Sequence, residues 1–375
     1  MTMVGTHPLL LALVVLSLGV TLAAIGQAHP VALTWLGAIA AVGAVARVVL
    51  ILDRRRGAPR SIDHAALRRI DFSGRKAWLK EQVRGQDAAV GTVVDTLQRG
   101  LQLAQSGRSL GSFLLVGPTG TGKTFLATAV AHALWPQREP VVLNMNQYKS
   151  PADVSAFMGS PGADGPATEG TLTGAIAADP RRVVVLDEID KCHPDVLHAL
   201  LDALDGGRCR DKATGKTADF SACVFFATCN AGVEGLRTLA DAEPKAYVAA
   251  ARDVLSREAG FEKSFLARFS EIVLMDSLRP IHIAEIACLL IEKQWGDAGI
   301  QVDYLAPELL AEIVKSNEEF SQYGVRQLAH CVRRMTDGML DTARRTGLRR
   351  VDLGLGPAAK AALLRAKSSG SAAAP

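Results

Sequence analysis

Ser112-Phe113-Leu114-Leu115-Val116 reads as a short buried strand, and it runs directly into Gly117-Pro118-Thr119-Gly120-Thr121-Gly122-Lys123-Thr124. That octet has the spacing GxxxxGK[ST], and few folds accommodate a strand ending in such a loop. The glycines let the backbone wrap closely around an anion with its amide N–H groups pointing inward. Phe125-Leu126-Ala127-Thr128-Ala129-Val130-Ala131 continues as a helix, whose amino end favours negative charge. Lys123 is placed to reach the β- and γ-phosphates of a nucleotide, and the Thr124 hydroxyl to bind Mg²⁺. A chance glycine turn is the alternative, and the strand before and helix after weigh against it.

A second motif fits the first. Val183-Val184-Val185-Leu186 leads into Asp187-Glu188, a buried parallel strand with two carboxylates at its carboxyl end, where open α/β sheets bind ligands. Asp187 suits the Mg²⁺ shell, and Glu188 suits a base that polarises the attacking water. A lone acidic pair after a strand is more often a helix cap; the phosphate loop upstream favours the catalytic reading. Three further runs, Val141–Met145, Cys223–Ala227 and Glu271–Met275, predict strands of the same sheet. After Pro194, Leu197, Leu200, Leu201 and Leu204 fall at helical spacing and mark a core stripe. Strands alternating with helices predict a three-layer α/β domain around a parallel sheet. From about Arg279 the pattern reads as helical only, which predicts a small all-α domain, and residues 367–375 are Ser/Ala/Gly-rich.

The amino-terminal sixty residues have a different character. No charge interrupts residues 9–26, and a second run over residues 31–52 is broken only by Thr34 and Arg47. Twenty-two helical residues rise about 33 Å, enough for a hydrocarbon core of about 30 Å. Trp35 suits an interface anchor, and Arg47 lies near enough to the end to snorkel. The two runs predict a transmembrane hairpin closed by Asp53-Arg54-Arg55-Arg56. The arginines follow the second run, which places the carboxyl side in the cytoplasm. A cleaved signal peptide plus one helix, or a buried hairpin, are the competing readings; the tail lacks the basic segment a signal peptide needs.

Charge placement restricts partners. The chain of 375 residues has a net charge of +4, and the segment before Ser61 accounts for all of it. The balanced remainder argues against an electrostatic nucleic-acid binder, so no nucleic-acid partner is expected. Six cysteines lack any CxxC pair and read as free thiols in a reducing compartment rather than a disulfide or zinc framework.

These motifs together resemble the second ATPase ring domain of the Clp (heat-shock-100-class) AAA+ unfoldases, over about Leu79 to Leu353. "VRGQDAAV", "GSFLLVGPTGTGKT", "VVVLDEIDKCHPDVLHALLDALDGG", "FFATCNAG", "FLARFSEIVLM" and "YGVRQLAHCV" carry the likeness. The resemblance implies that Val83 and Arg84 flank the adenine and that Asn230 is the first sensor, bonding γ-phosphate and water. It further implies that Arg268 is the arginine finger and Arg326 the second-sensor arginine. A finger that acts in trans implies a homo-oligomeric ring, usually a hexamer, and ATP with Mg²⁺ as cofactors. One departure stands out. Ala163, within Met158–Gly165, occupies the place of the family's gripping tyrosine and cannot supply an aromatic's stiff contact area. A second expected departure is a membrane hairpin in place of the family's amino-terminal substrate domain, first ATPase ring and middle coiled coil. The membrane-associated torsin-like ATPases of the same group also lack the aromatic.

The expected organisation is a membrane hairpin over 1–56, a linker over 57–78, a P-loop AAA+ large domain over 79–276, an α-helical lid over 277–353 and a largely disordered tail over 354–375. The expected function is a chaperone-type ATP hydrolase that remodels an unidentified protein client at the cytoplasmic face of a bilayer, anchored through residues 9–52. The alternative is a nucleotide-gated assembly scaffold without threading. Arg208, Arg210, Lys212 and Lys216 form a basic loop that either lines the ring's opening or is merely solvated. Cys192, His193 and His198 lack zinc spacing.

Overall fold

The five predicted buried runs assemble into a single parallel sheet in a computed structural model that describes residues 62–162, 166–239, 244–318, 324–355 and 361–366. Strands β1 (Gly111–Val116), β2 (Val141–Asn144), β3 (Val183–Asp187), β6 (Val224–Cys229) and β7 (Glu271–Leu274) lie in the order β2-β3-β6-β1-β7. Every pairing among them is parallel, with Gly111 opposite Val224, Val183 opposite Val224, and Phe113 opposite Glu271. Strands β4 (Arg208–Arg210) and β5 (Thr217–Asp219) form a separate antiparallel hairpin.

Side-chain alternation along these strands feeds two cores. Leu114, Val116, Val184, Leu186, Phe225, Ala227 and Ile272 enter the core on one face. Phe113, Leu115, Val183, Val185, Val224, Phe226 and Val273 enter the core on the other. Burial on both faces explains why the strands read as unbroken apolar runs. Phe113 and Phe226, directly opposite in register, stack with centroids 5.0 Å apart. The leucine stripe after Pro194 is split between two short helices, Pro194–Ala199 and Leu201–Leu204, but Leu200 and Leu204 are fully buried as the stripe requires. Because all five strands point the same way, the ends of β1, β3 and β6 share one edge. The phosphate loop, Asp187 and Asn230 all follow strands at that edge.

Three expectations need correction. First, residues 62–78 are not a bare linker. The helix His64–Leu67 is capped by Asp63, and Leu67 and Phe72 are buried in the core beneath the helix Asp87–Gln102. The Gln98 side-chain carbonyl accepts hydrogen bonds from the N–H groups of Phe72 (2.6 Å) and Ser73 (3.0 Å). Two well-spaced apolar anchors suffice to dock a segment whose charge density suggests solvent.

Second, the domain after residue 279 is not all-α. Helices Pro280–Asp297, Pro307–Glu318 and Gly324–Arg345 pack around Ile291, Trp295, Leu309, Ile313 and Val332. Beside them β8 (Gln301–Leu305) pairs in parallel with β9 (Arg350–Leu355). A bidentate contact of Arg350 with Asp303, at 2.8–3.1 Å, joins those strands. Third, the region after residue 353 is not without structure: β9 continues to Leu355, and β10 (Ala361–Ala366) pairs antiparallel with it. The hairpin expected over 9–52 lies outside the described residues. Among the described residues no helix is long and apolar enough to cross a membrane.

Candidate functional site: a phosphate cradle at the carboxyl edge

The octet after β1 folds as a loop because its glycines take conformations closed to other residues. Gly120 and Gly122 have φ of 81° and 94°. A Cβ on Gly117 would stand 2.6 Å from the Met275 carbonyl oxygen. Thr121 closes the loop internally, its hydroxyl donating to the Pro118 carbonyl at 3.0 Å, while Thr119 is exposed at the tip. The helix Lys123–Leu134 starts immediately after Gly122, so its amino end faces the concavity.

Lys123 lies inside this cradle with 7% of its surface exposed. Its ammonium donates to the carbonyls of Gly117 (2.7 Å) and Pro118 (2.8 Å) and to Asn230 Oδ1 (2.8 Å). Burial lowers its pKa to about 8, against the opposing pull of Asp187, Asp190 and Glu188. The adjacent Cys229 thiol, itself pushed up to about 12 by burial, stays neutral and offers no counter-charge. The direct hydrogen bonds of the Lys123 ammonium go only to neutral oxygens, with the carboxylates of Asp187, Asp190 and Glu188 further off, a setting that suits an anion.

The carboxylates stand beside it. The Thr124 hydroxyl donates to Asp187 Oδ1 at 2.8 Å, so the two expected Mg²⁺ residues already touch. Glu188 follows with φ 58° and ψ 54°, and it is the one non-glycine residue with positive φ among the described residues. Strain of this kind costs about 1–3 kcal/mol and is concentrated at working sites. Thr228, at the end of β6 and 1% exposed, donates its hydroxyl to Asp187 Oδ1 (2.6 Å) and accepts the Glu188 N–H (2.9 Å). The oxygen donors of Thr124 and Asp187 fit Mg²⁺, a hard cation that keeps much of its water.

The other expected residues lie in three further places. Val83 is buried at the end of the helix Lys76–Gln82. Arg84 and Gly85 line one wall of a cleft of about 340 Å³ whose other wall carries Arg279, Ile281 and His282. Arg84 Nε is buried without a partner among the described residues. Arg326 falls in the first turn of the helix Gly324–Arg345; its side chain, like Ala163, lies outside the described residues.

Arg268 is not brought to the cradle. It precedes β7, and its carbonyl accepts the Ser112 hydroxyl at 2.6 Å, so it sits at the amino edge of β1. Its guanidinium reaches Asp205, with Nε 3.0 Å from Oδ2. Five residues of strand, roughly 17 Å, separate Ser112 from the loop that follows Val116. The finger position and the phosphate loop of one chain therefore face away from each other across the sheet.

Two contributors were hidden from the motifs. Thr228 is one. Gln86 is the other: buried, it donates to the carbonyls of Thr121 (3.2 Å) and Asp276 (2.8 Å) and accepts the Asp276 N–H (3.2 Å). Both lie inside quoted motifs, but their contacts are made to residues distant in the chain, so the sequence carries no local signal for them. The basic hairpin is largely tied to itself, with Arg208 on Asp219 at 2.8 Å and Arg210 on the Gly215 carbonyl at 3.0 Å. His193 caps the helix at Pro194 by accepting the Asp195 N–H. Among the described residues no cluster of three or more His, Cys, Asp or Glu could hold a metal, and the cysteines are free.

Known proteins are similar to this chain in sequence and fold. A family model for the AAA domain (Cdc48 subfamily) matches residues 108–272. The chain is 34% identical to the Bacillus subtilis ClpE, described as an ATP-dependent Clp protease ATP-binding subunit, over 71% of this chain and 39% of that protein. It is 34% identical to Chaperone protein ClpB 2 of Thermosynechococcus vestitus, over 70% of this chain and 30% of that protein. The chain thus spans about a third of the length of these curated relatives. The fold matches Hsp104 of S. cerevisiae in a casein complex, with a TM-score of 0.67 and 23% identity, over 81% of this chain and 54% of that one. A closed-state Hsp104 with ATPγS and casein gives a TM-score of 0.64. From the phosphate loop to the sheet that carries it, this chain holds a Clp/Hsp100-type AAA+ ATPase domain.

Proposed function

We propose that this chain hydrolyses ATP in a homo-oligomeric ring, hexameric as the family likeness implies, and uses the cycle to remodel a protein client. The observation that carries the reading is the pair of edges on β1: Lys123, Thr124, Asp187, Glu188 and Asn230 converge at one, and Arg268 stands at the other. Lys123 and the loop amides bind the β- and γ-phosphates. Glu188 accepts a proton from a water as the water's oxygen attacks the γ-phosphorus, and the bond to the β-γ bridging oxygen breaks to release ADP and phosphate. Asn230 orients that water. Thr124 and Asp187 would hold Mg²⁺, which would supply positive charge against the phosphate oxygens. Arg268 of a neighbouring subunit supplies the remaining positive charge, worth roughly 10³–10⁵ in rate for such fingers. Arg326 reports nucleotide to the lid, and the 9–26 and 31–52 runs tether the ring to a bilayer with the ATPase part in the cytoplasm.

The test mixes two impaired variants. Arg268→Ala binds nucleotide and turns it over only at a slow residual rate; Glu188→Gln does the same. A ring containing both holds some sites with an intact Glu188 and an intact neighbouring finger, so mixing restores activity. Mixed rings, verified by dual tags, that stay at the residual rate overturn the shared site. Ala163 in place of a gripping aromatic favours a second reading, a nucleotide-gated scaffold. Capture on Glu188→Gln rings separates the two: partly unfolded clients support remodelling, and stoichiometric folded neighbours support the scaffold.

A further inference from the structure

We propose that Thr228 is a positioning residue for hydrolysis: its hydroxyl fixes the backbone of Glu188, and so aims the general base, while bonding the Mg²⁺ carboxylate Asp187. The inference rests on the ATPase reading above and goes beyond its assigned residues.

The ladder between β3 and β6 explains why the hydroxyl is needed. It runs from Val183 opposite Val224 to Leu186 opposite Ala227 and stops there. One step further, Asp187 and Thr228 stand where the next pair would form, but the chain turns out of the strand into the left-handed conformation of Glu188. The Glu188 N–H therefore finds no ladder carbonyl and is taken by Thr228 Oγ1 at 2.9 Å. A hydroxyl has a single proton, and Thr228 commits its own to Asp187 Oδ1 at 2.6 Å, since an ionised carboxylate only accepts. The donor and acceptor roles are thus fixed: Glu188 N–H to Thr228, Thr228 to Asp187.

This places one group between two functions. The same Asp187 oxygen also accepts the Thr124 hydroxyl, so Thr228 belongs to the chain of contacts that begins at the phosphate loop. The Glu188 conformation is strained, and strain persists only where its surroundings over-determine it. Removing the hydroxyl frees Glu188 to relax toward ordinary φ, and its carboxylate then points away from the water it must deprotonate. Phosphate binding depends on Lys123 and the loop amides, which Thr228 does not touch.

The experiment compares Thr228→Val, which keeps the β-branched shape without the hydroxyl, with Thr228→Ser, which keeps the hydroxyl. Thr228→Val lowers kcat by roughly 10- to 100-fold, the range expected when a buried donor loses its partner. Its Kd for Mg-ADP moves by less than about threefold, and Thr228→Ser retains kcat within about threefold. The second measurement is single-turnover hydrolysis in a Glu188→Gln background, where Thr228→Val has little left to remove if it acts through Glu188. Thr228→Val with wild-type kcat overturns the proposal. So does equal impairment by Val and Ser, a Kd loss matching the kcat loss, or full additivity with Glu188→Gln. Should Thr228→Val fail to fold, Thr228→Ala takes its place, with the same outcomes read against Thr228→Ser. A wild-type chain that forms rings and hydrolyses nothing sinks the ATPase reading itself, a different result from any of these.

Discussion

Lys123 carries a positive charge that the folded chain tolerates poorly until phosphates arrive, and this has a measurable consequence for binding. Burial brings its pKa from 10.5 to about 8. Bound polyphosphate restores the preference for the charged form, so nucleotide binding requires the proton that the free site is ready to lose. The dissociation constant then scales as one plus the ratio of neutral to charged Lys123. That factor is about 1.1 at pH 7, 2 at pH 8 and about 11 at pH 9, a tenfold weakening between pH 7 and pH 9. The terminal phosphate, with a last pKa near 6, is about nine-tenths ionised at pH 7 and essentially fully ionised from pH 8 upward, so it adds only a small opposing proton release at the low end of this range. Isothermal titration of ADP in two buffers of different ionisation enthalpy measures both the constant and the proton uptake, which rises from about 0.1 at pH 7 to about 0.9 at pH 9. Stability carries the opposite sign. A depressed lysine pKa penalises the nucleotide-free fold below about 8, by at most about 3 kcal/mol, and the penalty lifts as pH rises from 8 towards 10.5. ADP therefore raises the melting temperature more at pH 7 than at pH 9. A flat constant from pH 7 to 9.5 without proton uptake refutes the argument, and Lys123→Met provides the flat, weak-binding reference.

Two further outcomes test the contacts around the cradle. Gly85 has φ +76°, and a Cβ there would stand 2.4 Å from His282 Nδ1, so Gly85→Ala combines backbone strain with a clash against the first lid helix. It costs about 1–3 kcal/mol and weakens nucleotide binding, and a variant that melts and binds like wild type shows that this approach does not matter. Asp211 is wholly buried and accepts from the hydroxyls of Thr173 (2.6 Å) and Thr214 (2.9 Å) and the N–H groups of Gly170 and Thr214 (both 2.8 Å) and Ala213 (3.1 Å). Burial alone raises its pKa, but these donors overcome that and bring it down to about 2. A depressed carboxylate stabilises the fold above its unfolded pKa near 4 and loses that contribution as pH falls towards 2, on the order of 1–2 kcal/mol after allowing for solvent screening. Acid unfolding of Asp211→Asn shows a smaller drop over that window than wild type; identical profiles contradict the assignment.

The cradle was legible because phosphate chemistry dictates spacing within a few residues. Gly117 to Thr124 and Asp187-Glu188 are local patterns, and the apolar runs before them could only be two-sided buried strands. Legibility failed where a partner lies far along the chain. Gln86 acts through Asp276, 190 residues away, and nothing near Gln86 in the sequence announces that contact. The lid strands failed for a related reason. Gln301-Val302-Asp303-Tyr304-Leu305 is half polar, short and enclosed by helical segments, and it becomes a strand only because Arg350–Leu355 comes to lie beside it. Residues 62–78 misled in the opposite way, since their charges outnumber Leu67 and Phe72, yet two buried side chains are enough to hold a short segment to a core.

The phosphate loop and the entrance to the lid are built as one piece. Gly117 packs so tightly on the Met275 carbonyl that no side chain fits between them, and the Met275 N–H donates to Val116 at 2.7 Å. Gln86 bonds the backbone of Thr121 in the loop and both backbone groups of Asp276, the next residue toward the lid. An amide that serves both partners at once cannot keep its bonds if one moves and the other does not, and each buried bond broken costs about 1–3 kcal/mol. The Gln86 side chain therefore ties the loop backbone to residue 276 by a route that involves neither Arg326 nor any other lid side chain. Arg268, held to the opposite end of β1 by Ser112, shares that same strand. The loop is thus bonded to the entrance of the lid through Gln86 and shares β1 with the edge that carries Arg268, so both connections start from the loop that follows β1.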